Sequence, residues 1–338
     1  MGEYKIQKLM ANNNLSSLDR AEQQIDASSD NNNFTQSKPP DNNLASAHLA
    51  PVKPVKQMSK KAIGILLVTP FVLYIVTFFL LPLGSVISMS THTINDDYML
   101  TSACSLENFR TVFNADNLPI LLRSAKYAAC TTLFCLLLGY PLAWYIARYG
   151  GKYKPFLLIL VMLPFWTSYL IRIFAWMTIL QSEGILNTFL ISIGLISEPL
   201  NLLNTHFSVI LGLTYGFLPF AILPLYVSLE KLDMSLLEAA ADLGAPPSET
   251  FFKVIFPLSL PGVTAASLLT FVPAMGDFVT PDVLGGVDTM MIGNLIQQQY
   301  LAFFNWPLGA ALSLVLMGIM LLSILAFLKM SNSMESLV

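Results

Sequence analysis

The sequence predicts an all-α, polytopic membrane protein with six transmembrane helices. Hydrophobic residues make up 54% of the 338 residues, charged residues make up only 12%, and the mean hydropathy is +0.62. A soluble domain carries about 25% charged residues. The apolar residues are gathered into runs of roughly 20 or more, which is the length that a helix needs to cross a bilayer.

The predicted spans follow one another through a domain at 59–330, with Pro82 as a candidate bend in the long first span. They lie at about 62–90, 119–148, 155–180, 206–229, 262–281 and 307–328. Residues 1–58 are rich in Asn, Ser, Asp, Gln and Pro and poor in large apolar residues, which predicts a disordered tail. Residues 331–338 are expected to form a short C-terminus.

Basic residues set the expected orientation, since lysine and arginine collect on the cytoplasmic side of a membrane protein. One set of inter-span segments, including both termini, carries Lys53, Lys56, Lys60, Lys61, Arg148, Lys152, Lys154, Lys231, Lys253 and Lys329. The opposite segments carry Arg110, Arg123 and Lys126 together with Glu107, Asp116, Glu183, Glu198, Asp282 and Asp288. We therefore expect both termini, and the polar insert at about 230–261, to be cytoplasmic.

The insert reads as two short helices separated by a turn. Ser235 and Glu238 have capping-box spacing. Apolar residues at helical spacing form one stripe, made of Leu232, Leu236, Ala239, Ala240 and Leu243. Gly244 and the prolines that follow predict the end of the first helix, because glycine takes the left-handed conformation readily and proline cannot continue a helix. Ser248 is a candidate cap for the second helix.

This insert resembles the EAA loop of ABC-importer permeases. The matching residues are Glu238, Ala239, Ala240, Asp242, Gly244, Ile255, Pro257 and Pro261. In that family the loop docks into a groove of a cytoplasmic ATPase and couples ATP hydrolysis to transport. The resemblance therefore implies the same role here. The alternative is an interfacial helix pair without a partner, in which Glu238 serves only as a capping residue.

A wider resemblance covers about residues 60–330 and narrows the family to spermidine/putrescine permeases. It rests on Leu163–Arg172 with Trp176, on Ser235–Ala245, on Pro273–Phe278, on Leu284–Gly286, on Met291–Asn294, and on Asn305–Pro307. The loop after the first span, at about 91–118, favours the first of the two permease subunits. Related permeases for ferric iron, thiamine or opines share the EAA loop and remain alternatives for the solute.

Signatures of catalysis are absent from the sequence. It contains no G-x-x-x-x-G-K-[ST] phosphate loop, no G-x-S-x-G and no H-E-x-x-H. The three cysteines (Cys104, Cys130 and Cys135) do not suggest a disulfide framework, and three scattered histidines suggest no metal cluster. We expect no catalytic residues, no metal and no cofactor, because ATP would be bound by the partner ATPase.

Five residues are candidates for the solute pathway: Trp166, Tyr169, Arg172, Trp176 and Asp277. The three aromatic residues could form a wall for a cationic amine, since aromatic rings attract cations, although aromatic residues are common at membrane interfaces. Arg172 is an intramembrane charge, and such charges serve function or pair with a neighbouring helix.

Asp277 is placed about 15 residues along the fifth span, or roughly 22 Å into a core about 30 Å thick. At helical spacing it would share a small, polar face with Ala266, Thr270, Pro273 and Ala274. A polyamine ammonium group would neutralise its charge. The alternatives are a permanent ion pair with Arg172 and a helix cap near Pro281.

The resemblance implies a permease subunit in a bacterial inner membrane that works by alternating access. Its implied partners are a second permease subunit, a cytoplasmic ATPase dimer, an external solute-binding protein and membrane lipid, with no nucleic acid. Two other classes remain as alternatives. An ion-gradient-driven secondary transporter predicts an inverted repeat and no ATPase-docking loop, and a purely structural membrane subunit leaves Arg172 and Asp277 unexplained.

Overall fold

The computed structural model describes residues 60–95, 100–101 and 104–335. The tail predicted at 1–58 and residues 336–338 lie outside this part. The chain divides between Ile65 and Leu66, and all packing discussed below belongs to the unit Leu66–Val338. Within the described residues the protein is helical, and its β structure is limited to one isolated bridge between Ile94 and Leu100. The predicted all-α class is confirmed.

Fourteen α-helices are found in the described part of the chain. In order, they are α1 (Lys60–Ile75), α2 (Leu81–Ser90), α3 (Glu107–Val112), α4 (Leu118–Tyr149), α5 (Lys154–Met162), α6 (Tyr169–Leu180), α7 (Ile185–Ser192), α8 (His206–Glu230), α9 (Met234–Asp242), α10 (Pro247–Thr250), α11 (Phe256–Gly276), α12 (Val279–Leu284), α13 (Ile292–Leu301) and α14 (Trp306–Glu335). Short π-helical segments join α1 to α2 (Val76–Leu80) and α10 to α11 (Phe251–Ile255).

By length and composition, these helices provide the six predicted spans. Five are continuous: Leu67–Ser90, Leu118–Tyr149, His206–Glu230, Pro247–Gly276 and Trp306–Lys329. The sixth is a bent pair, Gly151–Trp166 and Tyr169–Ser192, whose two parts meet at 86°. The third predicted span is therefore broken near its middle rather than straight, and α14 continues past residue 330 to Glu335.

The core is built mainly by α4, α8 and α11, which pack against one another, while α14 packs against α2, α11 and α13. One buried cluster joins α4, α11, α13 and α14 around Ala128, Met275, Ile292 and Leu312. A second joins α4, α8 and the start of the fifth span around Cys135, Leu225, Ile255 and Ala266.

Close approach of α8 and α11 depends on Gly262. A Cβ atom at this position would lie 2.4 Å from the Ser228 Cβ and 3.0 Å from the Pro224 carbonyl oxygen. Without a hydrophobic driving force between helices in lipid, small residues of this kind allow the backbones to pack tightly. The same two helices then extend to the two regions in which the candidate functional residues lie.

Candidate functional site

The third span breaks at Thr167 and Ser168. Pro164 ends α5 through a 3₁₀ segment, Leu163–Trp166, and the backbone then becomes extended at Thr167 (ψ 153°) and Ser168 (ψ 135°) before α6 begins. The Thr167 hydroxyl donates a hydrogen bond to the Pro164 carbonyl at 2.7 Å. Irregular backbone at membrane depth is tolerated where protein or water satisfies its polar groups.

The fifth span ends at Gly276, and Asp277 is the first extended residue after it (φ −66°, ψ 132°). The expectation that Asp277 shares a helical face with Ala266, Thr270, Pro273 and Ala274 is therefore wrong, as is the predicted continuation of the helix to 281. The Asp277 carboxylate instead accepts a hydrogen bond at 2.9 Å from the amide of Val279, the first residue of α12, whose N-cap residue is Phe278. Such a hydrogen bond satisfies an amide that the helix leaves unpaired.

The two breaks meet through side chains. The Tyr169 hydroxyl, at the start of α6, donates a hydrogen bond to Asp277 Oδ2 at 2.7 Å. Thr280 Oγ1 donates to the same carboxylate oxygen and lies 2.6 Å from the Tyr169 hydroxyl. Sequence reasoning missed Thr280. The available signal was its position three residues after Asp277, within reach of a capping carboxylate.

Two close contacts from α13 stabilise the backbone at the break in the fifth span. The Asn294 side-chain amide donates to the Phe278 carbonyl at 2.8 Å. Gly293 lies so close that a Cβ atom there would be 2.7 Å from the Gly276 carbonyl oxygen. The backbone that the break exposes is therefore held by α13 rather than left unpaired.

Arg172 lies one turn after Tyr169 and is buried, with 8% of its surface exposed. Its guanidinium carbon lies 5.3 Å from the centre of the Tyr169 ring and 5.7 Å from that of Phe165. Nε and Nη1 are buried and have no hydrogen-bond partner among the described residues. The salt bridges found there do not include one between Arg172 and Asp277, so the alternative of a permanent ion pair is wrong for this conformation.

The three aromatic candidates do not form a continuous wall. Trp166 precedes the break and is 76% exposed. Trp176 packs edge-on against Tyr215 at 5.5 Å, whereas Tyr169 contacts Phe217 at 6.4 Å. Of the predicted pathway residues, the structure brings together Tyr169, Arg172 and Asp277, and it places the two tryptophans elsewhere.

At the far end of the fifth span, the EAA-like loop begins with α9. Its N-cap is Asp233, whose carboxylate accepts a hydrogen bond from the Ser235 amide at 2.9 Å. Hydrogen bonds from Ser235 hold the pKa of the Asp233 carboxyl below its usual value. The proposed capping box of Ser235 and Glu238 is wrong, because Ser235 already lies inside the helix.

Gly244 ends α9 as predicted, with φ of +77°. Its amide donates to the Ala241 carbonyl at 2.9 Å, and the Ala245 amide donates to the Ala240 carbonyl at 3.0 Å. This pair of hydrogen bonds is a Schellman motif, which requires a left-handed residue. The turn sets the direction of the chain toward α10.

The second helix of the loop is not separate. Pro246 is its N-cap, rather than Ser248, and helical structure continues from Pro247 to Gly276 through the π segment. Ile255 is 6% exposed and packs in the core, Pro257 is half-buried and Pro261 is exposed within the helix. The EAA-like loop is thus directly joined to the break at Asp277 by one continuous helix.

The apolar stripe of α9 divides between two faces. Leu232 and Leu237 pack against the core. Leu236, Ala239 and Leu243 are exposed, Leu243 by 88%, together with Glu238 and Asp242. The predicted apolar stripe does not pack as one face against this chain, because hydrophobicity alone does not say which apolar residues face the protein itself. The exposed part is a small apolar surface with acidic neighbours.

Comparison with known proteins decides the family. Residues 139–332 match the model of the binding-protein-dependent transport system inner membrane component family. The chain belongs to this family. The matched region contains both breaks and the EAA-like loop, and it begins in the part of α4 that packs on α8.

Individual relatives carry more specific names. The chain is 43% identical over 254 residues to the spermidine/putrescine transport system permease protein PotB of Haemophilus influenzae, covering 75% of this chain and 89% of that protein. It is also 43% identical over 252 residues to PotB of Escherichia coli K12, covering 74% and 92% respectively. The inner membrane ABC transporter permease protein YdcU of the same organism is 40% identical over 259 residues, covering 72% and 81%. The resemblance to spermidine/putrescine permeases is confirmed.

A solved structure supports the fold. A chain of a bacterial ABC transporter that imports the acidic polysaccharide alginate superposes with a TM-score of 0.66, covering 80% of this chain and 95% of that one, at 17% sequence identity. This likeness confirms the ABC-importer permease fold. The protein is accordingly a transport permease component and a multi-pass membrane protein.

Proposed function

We propose that the protein is the permease subunit of an ATP-driven importer and that its solute is a linear polyamine, spermidine or putrescine. The observation that carries the solute class is the carboxylate of Asp277 at the break of the fifth span, in a chain 43% identical to permeases named for these solutes. The half-buried carboxylate of Asp277 is stabilised by hydrogen-bond donors or by a compensating cation. A polyamine brings two or more ammonium groups and no anion.

The breaks give the solute a place to bind. The Tyr169 and Thr280 hydroxyls hold Asp277 Oδ2, and Oδ1 accepts from the Val279 amide. A carboxylate has about four lone-pair positions, so it can still accept from an ammonium group after these bonds are made. Discontinuous helices with unwound backbone commonly form solute sites in transporters.

The cation of Arg172 lies close to this site. Its guanidinium carbon is 5.3 Å from the centre of the Tyr169 ring. The positive charge opposes the binding of small inorganic cations as well as polyamines, so affinity must come from contacts with the length of the solute. We assign the methylene segments to the aromatic surface that Tyr169 and Phe217 form.

Transport requires partner subunits, and we propose the same partners that the family uses. A second permease completes the pathway, an external binding protein delivers the solute, and an ATPase dimer docks on the exposed surface of α9. Both termini are then cytoplasmic. The protein is the first of the two permease subunits, and it has no ATPase site of its own. ATP-driven closure of the ATPase dimer draws the loops together and opens the cavity outward.

Reconstitution of the whole transporter tests this function. The protein is expressed with its cognate ATPase, second permease and binding protein, placed in proteoliposomes, and supplied with ATP inside and radiolabelled spermidine outside. We expect uptake that needs both ATP and the binding protein. Uptake driven by an ion gradient without ATP would instead indicate a secondary transporter. ATP-dependent uptake of ferric iron, thiamine or an opine, but not of polyamine, would overturn the solute class alone.

A further inference from the structure

Three residues link α8 to α9. Side chains from the turn between the second and third spans bind to this region. Glu230 is the last residue of α8, and Asp233 is the N-cap of α9, so the link is short. On the opposing side, Arg148 lies in the last turn of α4, and Lys154 begins α5. Arg148 reaches the link, and Lys154 reaches the last residue of α8.

Arg148 contacts the backbone on both sides of the end of α8. Its Nη2 donates hydrogen bonds to the Leu229 carbonyl at 3.0 Å and to the Leu232 carbonyl at 3.2 Å. The carbonyls at the C-terminus of a helix have no intrahelical partner and carry partial negative charge, so a cation is well placed there. Lys154 adds an ion pair to both carboxylate oxygens of Glu230, at 2.8 and 3.0 Å.

The same arginine also contacts an aromatic ring that lies near α9. The guanidinium carbon of Arg148 lies 5.0 Å from the centre of the Trp144 ring. Trp144 in turn lines a pocket whose other wall includes Leu237 and Ala241 of α9. Arg148 therefore contacts the link through its hydrogen bonds, and it contacts Trp144, which lines the same pocket as α9. A planar guanidinium can bond and stack at once, which an ammonium group cannot do.

From this geometry we infer that Arg148 is a positioning residue for energy coupling. It locks α9 to the end of α4, so that a displacement of α9 moves α4 and α8 together instead of bending the link. Because α4 and α8 pack on α11, the motion reaches the break at Asp277. This inference rests on the proposed function, since it assumes that an ATPase acts on α9.

Arg123 offers a matched control at the other end of α4. Its Nη1 also donates to two backbone carbonyls of another element, those of Asp288 and Met290. Losing either arginine leaves two carbonyls without a cationic donor. A purely structural effect should therefore appear in both variants, whereas a coupling effect should appear only at Arg148.

The test compares Arg148→Gln, Arg148→Lys and Arg123→Gln in the complete transporter, reconstituted with its binding protein and labelled spermidine. For each variant, the spermidine transported per ATP hydrolysed is measured. We expect this ratio to fall about tenfold in Arg148→Gln, which corresponds to about 1.4 kcal/mol of coupling, and less in Arg148→Lys. In Arg123→Gln the ratio should remain that of the unmodified transporter.

The possible results separate cleanly. An unchanged ratio in Arg148→Gln, with ATPase activity and uptake falling together, overturns the inference. If Arg148→Gln does not assemble, the ratio in Arg148→Lys decides in the same way. An equal fall in Arg123→Gln also overturns it, because the effect is then general to the fold. Absence of ATP-driven uptake by the unmodified transporter would instead contradict the proposed function.

Discussion

The Tyr169 hydroxyl donates to the Asp277 carboxylate at 2.7 Å, and this hydrogen bond joins the breaks of the third and fifth spans. The two residues lie 108 positions apart in the chain. Neither helix needs to break for the chain to cross a bilayer. The bond therefore joins the two places at which regular helical structure is interrupted.

Replacing Asp277 by Asn tests the solute site. The amide keeps the size of the side chain, and its oxygen can still accept from the Val279 amide. Its NH2 group takes the place of Oδ2, the oxygen that accepts from Tyr169 and Thr280. The substitution removes the charge that attracts an ammonium group. We expect spermidine uptake to fall by tenfold or more, about 1.4 kcal/mol or more, with ATPase activity and assembly retained. Unchanged uptake would remove Asp277 from the pathway, and loss of assembly would favour a purely structural role.

Replacing Tyr169 by Phe removes the hydroxyl and retains the ring beside Arg172 and Phe217. Hydrogen bonds to charged groups contribute about 1.5–3 kcal/mol. Because Asp277 loses one of its donors, we expect KM for binding-protein-delivered spermidine to rise about tenfold. Tyr215→Phe is the control, since the Tyr215 ring packs against the Trp176 ring instead of against the Asp277 site. Equal effects of both substitutions would show that Asp277 does not depend on the Tyr169 hydroxyl.

Replacing Gly244 by Trp tests the turn of the EAA-like loop. Gly244 has φ of +77° and open space around it, so the effect of a side chain there comes from backbone strain, about 1–2 kcal/mol. We expect the variant to insert into the membrane and to lose uptake, because the direction from α9 to α10 changes.

Gly194 is a close match for this experiment. It follows α7 with φ of +72°, also in open space, and its amide and that of Leu195 make the same two Schellman hydrogen bonds. Gly194→Trp should be strained to a similar degree and should keep most of its uptake. Normal uptake in Gly244→Trp, or equal losses in both variants, would contradict a role of this turn in coupling.

Replacing Gly262 by Ala tests the packing of α8 on α11. The added Cβ would overlap the Ser228 Cβ and approach the Pro224 carbonyl. We expect a destabilisation of about 1–3 kcal/mol, typical of overpacking, measured as a lower midpoint of thermal unfolding in detergent. Gly84→Ala is the control, because no atom lies within 4 Å of its Cβ position. The Gly84→Ala variant should unfold at the same midpoint or at a higher one, because alanine favours helix more than glycine does. A midpoint that falls no further in Gly262→Ala than in Gly84→Ala would show that the close approach is not needed.

Features that depend on local chemistry could be predicted from the sequence. The six spans follow from length and hydropathy, and the turn at Gly244 follows from a glycine with prolines after it. Proximity of Tyr169, Asp277 and Thr280 could not be predicted, because it depends on how the third and fifth spans pack. The cap at Asp233 was not predicted, because Ser235 is also of a residue type that accepts hydrogen bonds from helix amides and is the predicted cap instead.

The face of α9 shows a different limit. Leu236 and Leu237 are equally apolar, yet Leu237 packs in the core and Leu236 is exposed. A helix that contacts both its own chain and a partner is apolar on two sides, so a single hydrophobic stripe cannot be assigned to either contact. The break at Asp277 has a related cause, because helix propensity does not register a hydrogen bond to a distant tyrosine.

The first span has a consequence for how the protein sits in lipid. In this single chain, none of its most apolar 18-residue stretch is buried, and Leu67, Phe71 and Phe78 are each exposed by more than 60%. Only its later part, α2, packs on α14. The side chains of the earlier part are therefore available to lipid or to another subunit, and packing within this chain does not fix the tilt of that part. A membrane thinner than this hydrophobic stretch would favour tilting of the span.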